Sequence, residues 1–321
     1  MSKVALVTGI SGGLAQLVAG KLAQRDYEII GVDYRKVPIV PDCLTECYQA
    51  NYNKTKIEDV FRRHRPTHVF HLGRVGNLKE RMGKRFDLNV MGSRKVMNLT
   101  VKYQTSRLVV LSTFHIYGAH PHNHIPIYES EPLRAGTAFP QIADAIQLDN
   151  QAVTWIYRHP EVGTTLIRPC NVIGPNIRNA MSNVLRARLV PVMLGFSPMI
   201  QFIHERDLAR AIVAAAEGEA SGVYNVAGRG SVPWRDAVDM AGATQVPIPS
   251  SLAATYLRAA GLVTHTFPPY LVNFFKYPCV ISSDAINESF GFTPRIGQAA
   301  AIRSTVAAAR GWTGSVPLDE D

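Results

Sequence analysis

The chain begins with a short apolar strand that runs directly into a glycine-rich turn and a helix, Lys3-Val-Ala-Leu-Val-Thr-Gly-Ile-Ser-Gly-Gly-Leu-Ala15. Gly9 and Gly12 permit a tight turn and a close approach of backbone to a pyrophosphate. The unpaired N–H groups of the following helix would point at that anion. Leu14, Leu17, Val18 and Leu22 repeat at helical spacing behind the turn. A second strand, 28–33, ends in Asp33, an acid spaced to hold the hydroxyl pair of a ribose. The plainer alternative is a strand–turn–helix whose glycines serve only the turn.

Strand and helix signals then alternate. Strands are expected at 3–8, 28–33, 46–50, 67–72, 107–112 and 164–169, with helices near 12–25, 54–64, 78–104 and 141–158. A helix at 205–217 stops at Gly218, and a strand at 222–226 follows. This order predicts an α/β fold, a Rossmann-type doubly wound parallel sheet with a smaller C-terminal substrate lobe. The expected division is a dinucleotide-binding domain over 1–170 with a returning segment at about 200–227, and a lobe over 171–199 and 228–321. The apolar, proline-broken stretch 251–275 reads as lobe core or pocket wall.

Lys and Arg number 34 against 25 acids, a formal net charge of +9. The basic clusters Arg62–Arg65 and Lys79–Arg85 lack interleaved aromatic residues, so solvated helix faces are expected, not a nucleic-acid surface. An acidic small-molecule ligand fits the surplus equally well. No apolar run is long enough to cross a membrane, and no basic–apolar leader precedes the first strand, so a cytoplasmic protein is expected. Cys43, Cys47, Cys170 and Cys279 are scattered and read as reduced thiols. His120, His122 and His124 alternate as zinc ligands can, but Pro121, Pro126 and the lack of a fourth ligand favour a solvated loop, and no metal is expected.

Thr8–Ala15, Asp33, His71-Leu-Gly73, Asn89-Val-Met-Gly-Ser93, Leu111-Ser-Thr-Phe-His-Ile-Tyr-Gly118, Arg168-Pro-Cys-Asn-Val-Ile-Gly-Pro175, Phe202-Ile-His-Glu-Arg-Asp207, Tyr224-Asn225 and Gly291–Pro294 together resemble an extended short-chain dehydrogenase/reductase of the NAD-dependent epimerase/dehydratase family. The chain is most similar to its UDP-glucose 4-epimerase-like subgroup, some members of which lack the usual active-site residues. The resemblance implies NAD as cofactor, since Asp33 would repel the 2′-phosphate of NADP even with Arg35 nearby. It implies cofactor contacts at Gly9, Ser11, Gly12, Gly13, Leu14, Asp33, Tyr34, Asn51, Tyr52, Leu72, Gly73, Arg74, Asn89, Leu111, Ser112 and Pro169. Ala15 fills the third glycine position, and Gly73 stands where alanine is usual.

The family's proton donor is a Tyr in a Tyr-x-x-x-Lys helix motif. With Pro140 as register mark, those positions carry Gln141 and Ala145, and no lysine lies between Lys102 and Lys276. The candidate acid/base set is therefore Thr113, His115, Gln141 and Asp144. For each a plain reading stands beside the catalytic one: a strand-end hydroxyl, an inconsequential loop histidine, a solvated helix-surface acid. Asn171 is a candidate substrate contact. The arginine that epimerases use for phosphate corresponds to Ile200, so Arg178, Arg186, Arg188 or Arg258 would have to replace it. Three functions are open: an epimerase/dehydratase-like oxidoreductase acting on a sugar nucleotide or related hydroxylated substrate with a non-standard acid/base set, a catalytically inactive NAD-binding regulator or scaffold, or a structural relic that binds no dinucleotide. The resemblance also implies a homodimer through helices near 78–104 and 141–158.

Overall fold

Residues 3–77, 80–249, 255 and 269–312 are described by a computed structural model of the chain. The first half contains β1 (Lys3–Thr8), α1 (Gly13–Ala23), β2 (Tyr27–Asp33), β3 (Glu46–Gln49), α2 (Thr55–His64), β4 (His68–His71), α3 (Met82–Phe86), α4 (Ser93–Lys102) and β5 (Arg107–Leu111). It continues through α5 (Ala135–Ala138), α6 (Ala143–Arg158), β6 (Gly163–Pro169), β7 (Asn171–Ile173), α7 (Ala180–Arg186), β8 (Leu189–Met193), β9 (Met199–Ile200) and β10 (Phe202–His204). Then come α8 (Glu205–Glu217), β11 (Gly222–Val226), β12 (Val232–Pro233), α9 (Trp234–Met240) and β13 (Thr244–Ile248), with two further helices at Asp284–Phe290 and Gln298–Val306.

Seven strands form one parallel sheet in the order β11-β6-β5-β4-β1-β2-β3. Their alternating residues feed two cores. Ala5, Val7 and Ile29 pack with Val18 and Leu22 of α1 and with Leu208 and Ile212 of α8. Val4, Leu6, Ile30 and Val32 pack with Ile57 of α2, Val96 of α4 and Leu148 of α6. Burial on both faces is why these strands read as continuous apolar runs. The order reverses between β1 and β4, which opens a crevice at their carboxyl ends, the usual ligand position in such sheets. Thr8 pairs with His71 in register there.

The helix expected over 78–104 is interrupted. After α3 the chain makes a π-helical stretch, Asp87–Gly92, before α4 resumes, and the expected start at 78–79 lies outside the described residues. Such a wide turn redirects side chains; here Asp87 meets Asn51 and Asn53, and Asn89 meets Asp144. The 141–158 helix opens with a 3₁₀ turn at Pro140–Ile142. Pairs β7/β10, β8/β13 and β9/β12 form small separate sheets beyond β6. Of the apolar stretch 251–275, only Thr255 and the 3₁₀ turn Pro269–Phe275 lie within the described residues. Among the described residues no helix is long and apolar enough to cross a membrane.

Candidate functional site

Gly9 adopts φ +76°, and a Cβ on it would lie 2.6 Å from the Gly73 Cα, so both the conformation and the fit of β1 against β4 demand glycine. A Cβ on Gly73 would in turn strike the Tyr52 hydroxyl, which accepts a hydrogen bond from the Gly9 N–H at 3.0 Å. Gly9, Gly73 and Tyr52 are thus one packing solution.

Buried polar groups lock this junction. Gly73 N donates to Thr8 Oγ1, which bonds His71 Nδ1 at 2.9 Å; His71 Nε2 meets Ser93 Oγ at 2.7 Å, and Ser93 Oγ donates to the Asn89 carbonyl. Because the serine proton is committed, the chain is consistent only with His71 carrying its proton on Nε2. Burial pushes the His71 pKa down to about 4, so the ring is neutral.

Gly12 caps α1 without a side-chain bond, and no acid stands in the first helical turn, which leaves that turn's N–H groups and positive dipole end for an anion. Ser11, Gly13 and Leu14 border the same turn. At the end of β2 the Asp33 carboxylate is fully buried. Oδ2 accepts from the Ser11 N–H (3.1 Å) and Oγ (2.5 Å), and Oδ1 accepts from Arg35 N (2.8 Å) and Nε (3.4 Å). Arg35 also stacks over Tyr34, 5.4 Å from the ring centre. Asn51 is engaged with Asp87 and the Asn53 N–H at 2.8 Å. Leu72 and Pro169 are buried, and Leu111 is half-buried at its strand end.

Thr113 follows β5 and its Oγ1 lies 2.8 Å from His115 Nδ1. His115 packs against Phe114 and Phe274, with ring centres 4.3 and 4.9 Å away. Burial first, and Arg74 second, push its pKa down to about 3. It is therefore not a loop histidine titrating near neutrality but a neutral imidazole bonded to Thr113.

Asp144 corrects the sequence expectation. It is 1 % exposed, not solvated, and its carboxylate pairs with Arg85 and accepts from Asn89 Nδ2 at 2.5 Å. Arg85, expected on a solvated basic face, is 4 % exposed, and also donates to the Gln141 carbonyl at 2.8 Å. A buried ion cannot be left unpaired, which draws both charges inward together. Asn89 spends its side chain here and on the Val75 backbone, at 2.8 Å to N and 3.1 Å to O, so it shapes the loop after β4 from beneath. The Gln141 side chain is exposed and Ala145 is buried.

A second buried network escaped sequence reasoning. Arg168 forms a two-pronged pair with Asp149 (2.7 and 3.0 Å), which also accepts from Ser112 Oγ at 2.6 Å. Its other arm donates to Tyr117 Oη, which donates to Asn225 Oδ1, both at 2.8 Å. An arginine inside the apolar strand Leu166-Ile-Arg-Pro169 was the available signal, since such a charge requires a buried partner.

On the far side, Asn171 is buried and donates to the Gln201 carbonyl at 3.0 Å. Arg178 is exposed, with one bond to the Pro175 carbonyl. Arg186 is not a free cation: it donates to the carbonyls of Thr305, Ile177 and Gly174 at 3.0, 2.8 and 2.8 Å, so its fork is spent on backbone. Arg258 lies outside the described residues. Among the described residues no three potential metal ligands come together.

A family model described as the NAD dependent epimerase/dehydratase family matches residues 5–227. An uncharacterized protein of Mycobacterium tuberculosis is 27 % identical over 309 residues, covering 91 % of this chain and 80 % of its own length. The fold is similar to UDP-glucose 4-epimerase from Thermotoga maritima, solved with UDP-glucose (TM-score 0.76, 19 % identity, 96 % of this chain and 99 % of that one). It is also similar to the Thermus thermophilus UDP-glucose 4-epimerase solved with NAD (TM-score 0.74, 22 % identity, 96 % and 99 %). The Bordetella bronchiseptica enzyme WbmG with NAD gives a TM-score of 0.75 at 17 % identity, over 97 % of this chain and 95 % of that one.

Proposed function

The chain belongs to the NAD-dependent epimerase/dehydratase family, and we propose that it binds NAD across the β1/β4 crevice and acts as an oxidoreductase on a sugar nucleotide or a related hydroxylated substrate. One observation carries this reading: an uncapped, acid-free helix start and a buried carboxylate at the end of β2 flank the same glycine turn. Those are the two groups a dinucleotide needs, one for pyrophosphate and one for ribose. Gly9, Ser11, Gly12, Gly13 and Leu14 would hold the pyrophosphate and Asp33 the adenosine ribose. Tyr34, Asn51, Tyr52 and the Leu72–Arg74 segment would border the adenosine, and Leu111, Ser112 and Pro169 the nicotinamide end. Bound NAD supplies a hydride acceptor that can return what it takes.

The chain itself must handle the hydroxyl proton. In our reading Gln141 and Ala145 stand at the family's Tyr and Lys positions, so that task passes to Thr113 and His115. Thr113 Oγ1 contacts the substrate oxygen, and His115, 2.8 Å away, positions the hydroxyl and accepts through it. Asp144 serves only as support, because its oxygens are bound to Arg85 and Asn89. Residues 171–199 and 228–321 would form the substrate side, and the helices around α4 and α6 a homodimer face, for which size-exclusion chromatography should give twice the chain mass.

The depressed basicity of His115 favours a second reading, a non-catalytic NAD-binding regulator or scaffold. Incubating the protein with NAD and a panel of sugar nucleotides, while following reduced nicotinamide absorbance and product formation, separates the two. Turnover that Thr113→Val lowers by roughly 10²–10⁴ supports catalysis. NAD binding with no reduction or product on any substrate leaves the regulator.

A further inference from the structure

The 3₁₀ turn Pro269–Phe275 places two neighbouring rings in two different surroundings. Phe275 packs edge-on against Trp234, the first residue of α9, with ring centres 4.7 Å apart and planes at 68°. Phe274 packs instead on the segment after β5. Its ring centre lies 4.9 Å from that of His115 at 65°, 5.6 Å from Phe114 at 73° and 6.1 Å from Phe139. Both phenylalanines are buried. Gly118, at φ +73°, lets Phe139 join this group, since a Cβ there would lie 3.2 Å from the Phe139 Cε2. Edge-to-face contacts of this kind fix ring orientation as well as bury area.

His115 itself is half-buried, and its Nδ1 lies 2.8 Å from Thr113 Oγ1. Phe114 covers it from its own segment, 4.3 Å away, whereas Phe274 reaches it from the substrate side of the chain. Among the described residues, Arg74 on the loop after β4 is the charged group that acts on the imidazole, and it repels a proton there. Rings in place of water disfavour the imidazolium further, because a charge loses hydration that a phenyl group does not return.

We infer that Phe274 is a positioning residue for the Thr113–His115 pair: its ring keeps water from one side of the imidazole and holds it against the threonine hydroxyl, so the pair is complete only with the 3₁₀ turn seated. The inference rests on the assignment of proton handling to Thr113 and His115 in the proposed function. Phe274 acts through His115.

The test is NMR of the full chain carrying isotope-labelled histidine, for the wild type, Phe274→Ala, Phe274→Val and Phe275→Leu, with the His115 signals identified by their loss in His115→Gln. In the wild type His115 should remain a single neutral tautomer down to about pH 5. In Phe274→Ala it should titrate with a midpoint between about 5 and 6.5 and show mixed tautomers, as an exposed imidazole does. Phe274→Val should show the same change to a smaller extent, and decides the matter if the alanine variant does not fold. Phe275→Leu loosens the same turn at its other ring and should leave His115 as in the wild type. A wild-type His115 already charged at about pH 5 would overturn the inference. So would Phe274 variants indistinguishable from the wild type, or an equal change in Phe275→Leu, which marks general loosening. No cofactor or substrate enters this readout, so it fails separately from the proposed function, whose failure shows as absent NAD uptake or absent product.

Discussion

Asp33 accepts bonds from the Ser11 amide and hydroxyl and from Arg35, and under the proposed function a ribose docking there would replace the side-chain donors while the two backbone N–H groups remain. The carboxylate is thus preorganised by its own strand end, and in the proposed complex the cofactor would supply hydroxyl donors in place of Ser11 Oγ and the Arg35 guanidinium. Asp33→Ala should weaken NADH binding at least tenfold in a fluorescence titration, consistent with the ~1.5–3 kcal/mol of a hydrogen bond to a charged group. Unchanged affinity would place the ribose elsewhere. The place of Asp33 at the end of β2, about 20 residues after the glycine turn, was legible in the sequence. Asp144 was not. Helical spacing put it near a surface, and nothing local announced that Arg85, 59 positions away, would bury it.

The π-helical stretch Asp87–Gly92 shows why elements are read more easily than their irregularities. Apolar periodicity located a helix there, but periodicity averages over a single wide turn and cannot show where Asp87 and Asn89 swing out of line. That turn carries Asn89 to both Asp144 and the Val75 backbone, so the loop after β4, the 3₁₀ entry to α6 and the helix α3 are tied at one buried point. Asp144→Ala would leave the Arg85 guanidinium buried without its counter-charge. It should lower stability by about 3–5 kcal/mol in denaturant unfolding. A loss under about 1 kcal/mol would mean that Arg85 escapes to solvent and that the tie carries little weight. The second network, Ser112–Asp149–Arg168–Tyr117–Asn225, binds β5, α6, β6 and β11 in the same manner.

Across the whole molecule, the strand alternation that divides apolar residues between two helical layers makes the doubly wound sheet legible in the sequence, as does the glycine turn at its switch point. What sequence alone could not supply was the polar wiring at the sheet's carboxyl edge, since its partners are far apart in the chain and each residue has a bland role open to it. That wiring makes stability depend on pH. Burial holds His71 and His204 near 4 and His115 near 3, below the ordinary ~6.5 of an unfolded histidine. The unfolded chain therefore binds more protons as pH falls below about 6.5, so the neutral-histidine contribution is complete above that value and is lost progressively towards pH 4. Thermal melts should show Tm falling between pH 6.5 and 4, and His71→Gln should flatten part of that slope. A flat profile would mean that these rings are not neutral and buried in solution.

The central claim, that the β1/β4 crevice holds NAD, is tested most directly by thermal unfolding of the purified, cofactor-free chain with and without millimolar NAD. A ligand of the native state raises stability by RT ln(1 + [L]/Kd), about 2.7 kcal/mol at a hundredfold excess over Kd. We expect a concentration-dependent rise in Tm of several degrees that Asp33→Ala markedly reduces at the same NAD concentration. A wild-type Tm unmoved by NAD at any concentration would contradict the account.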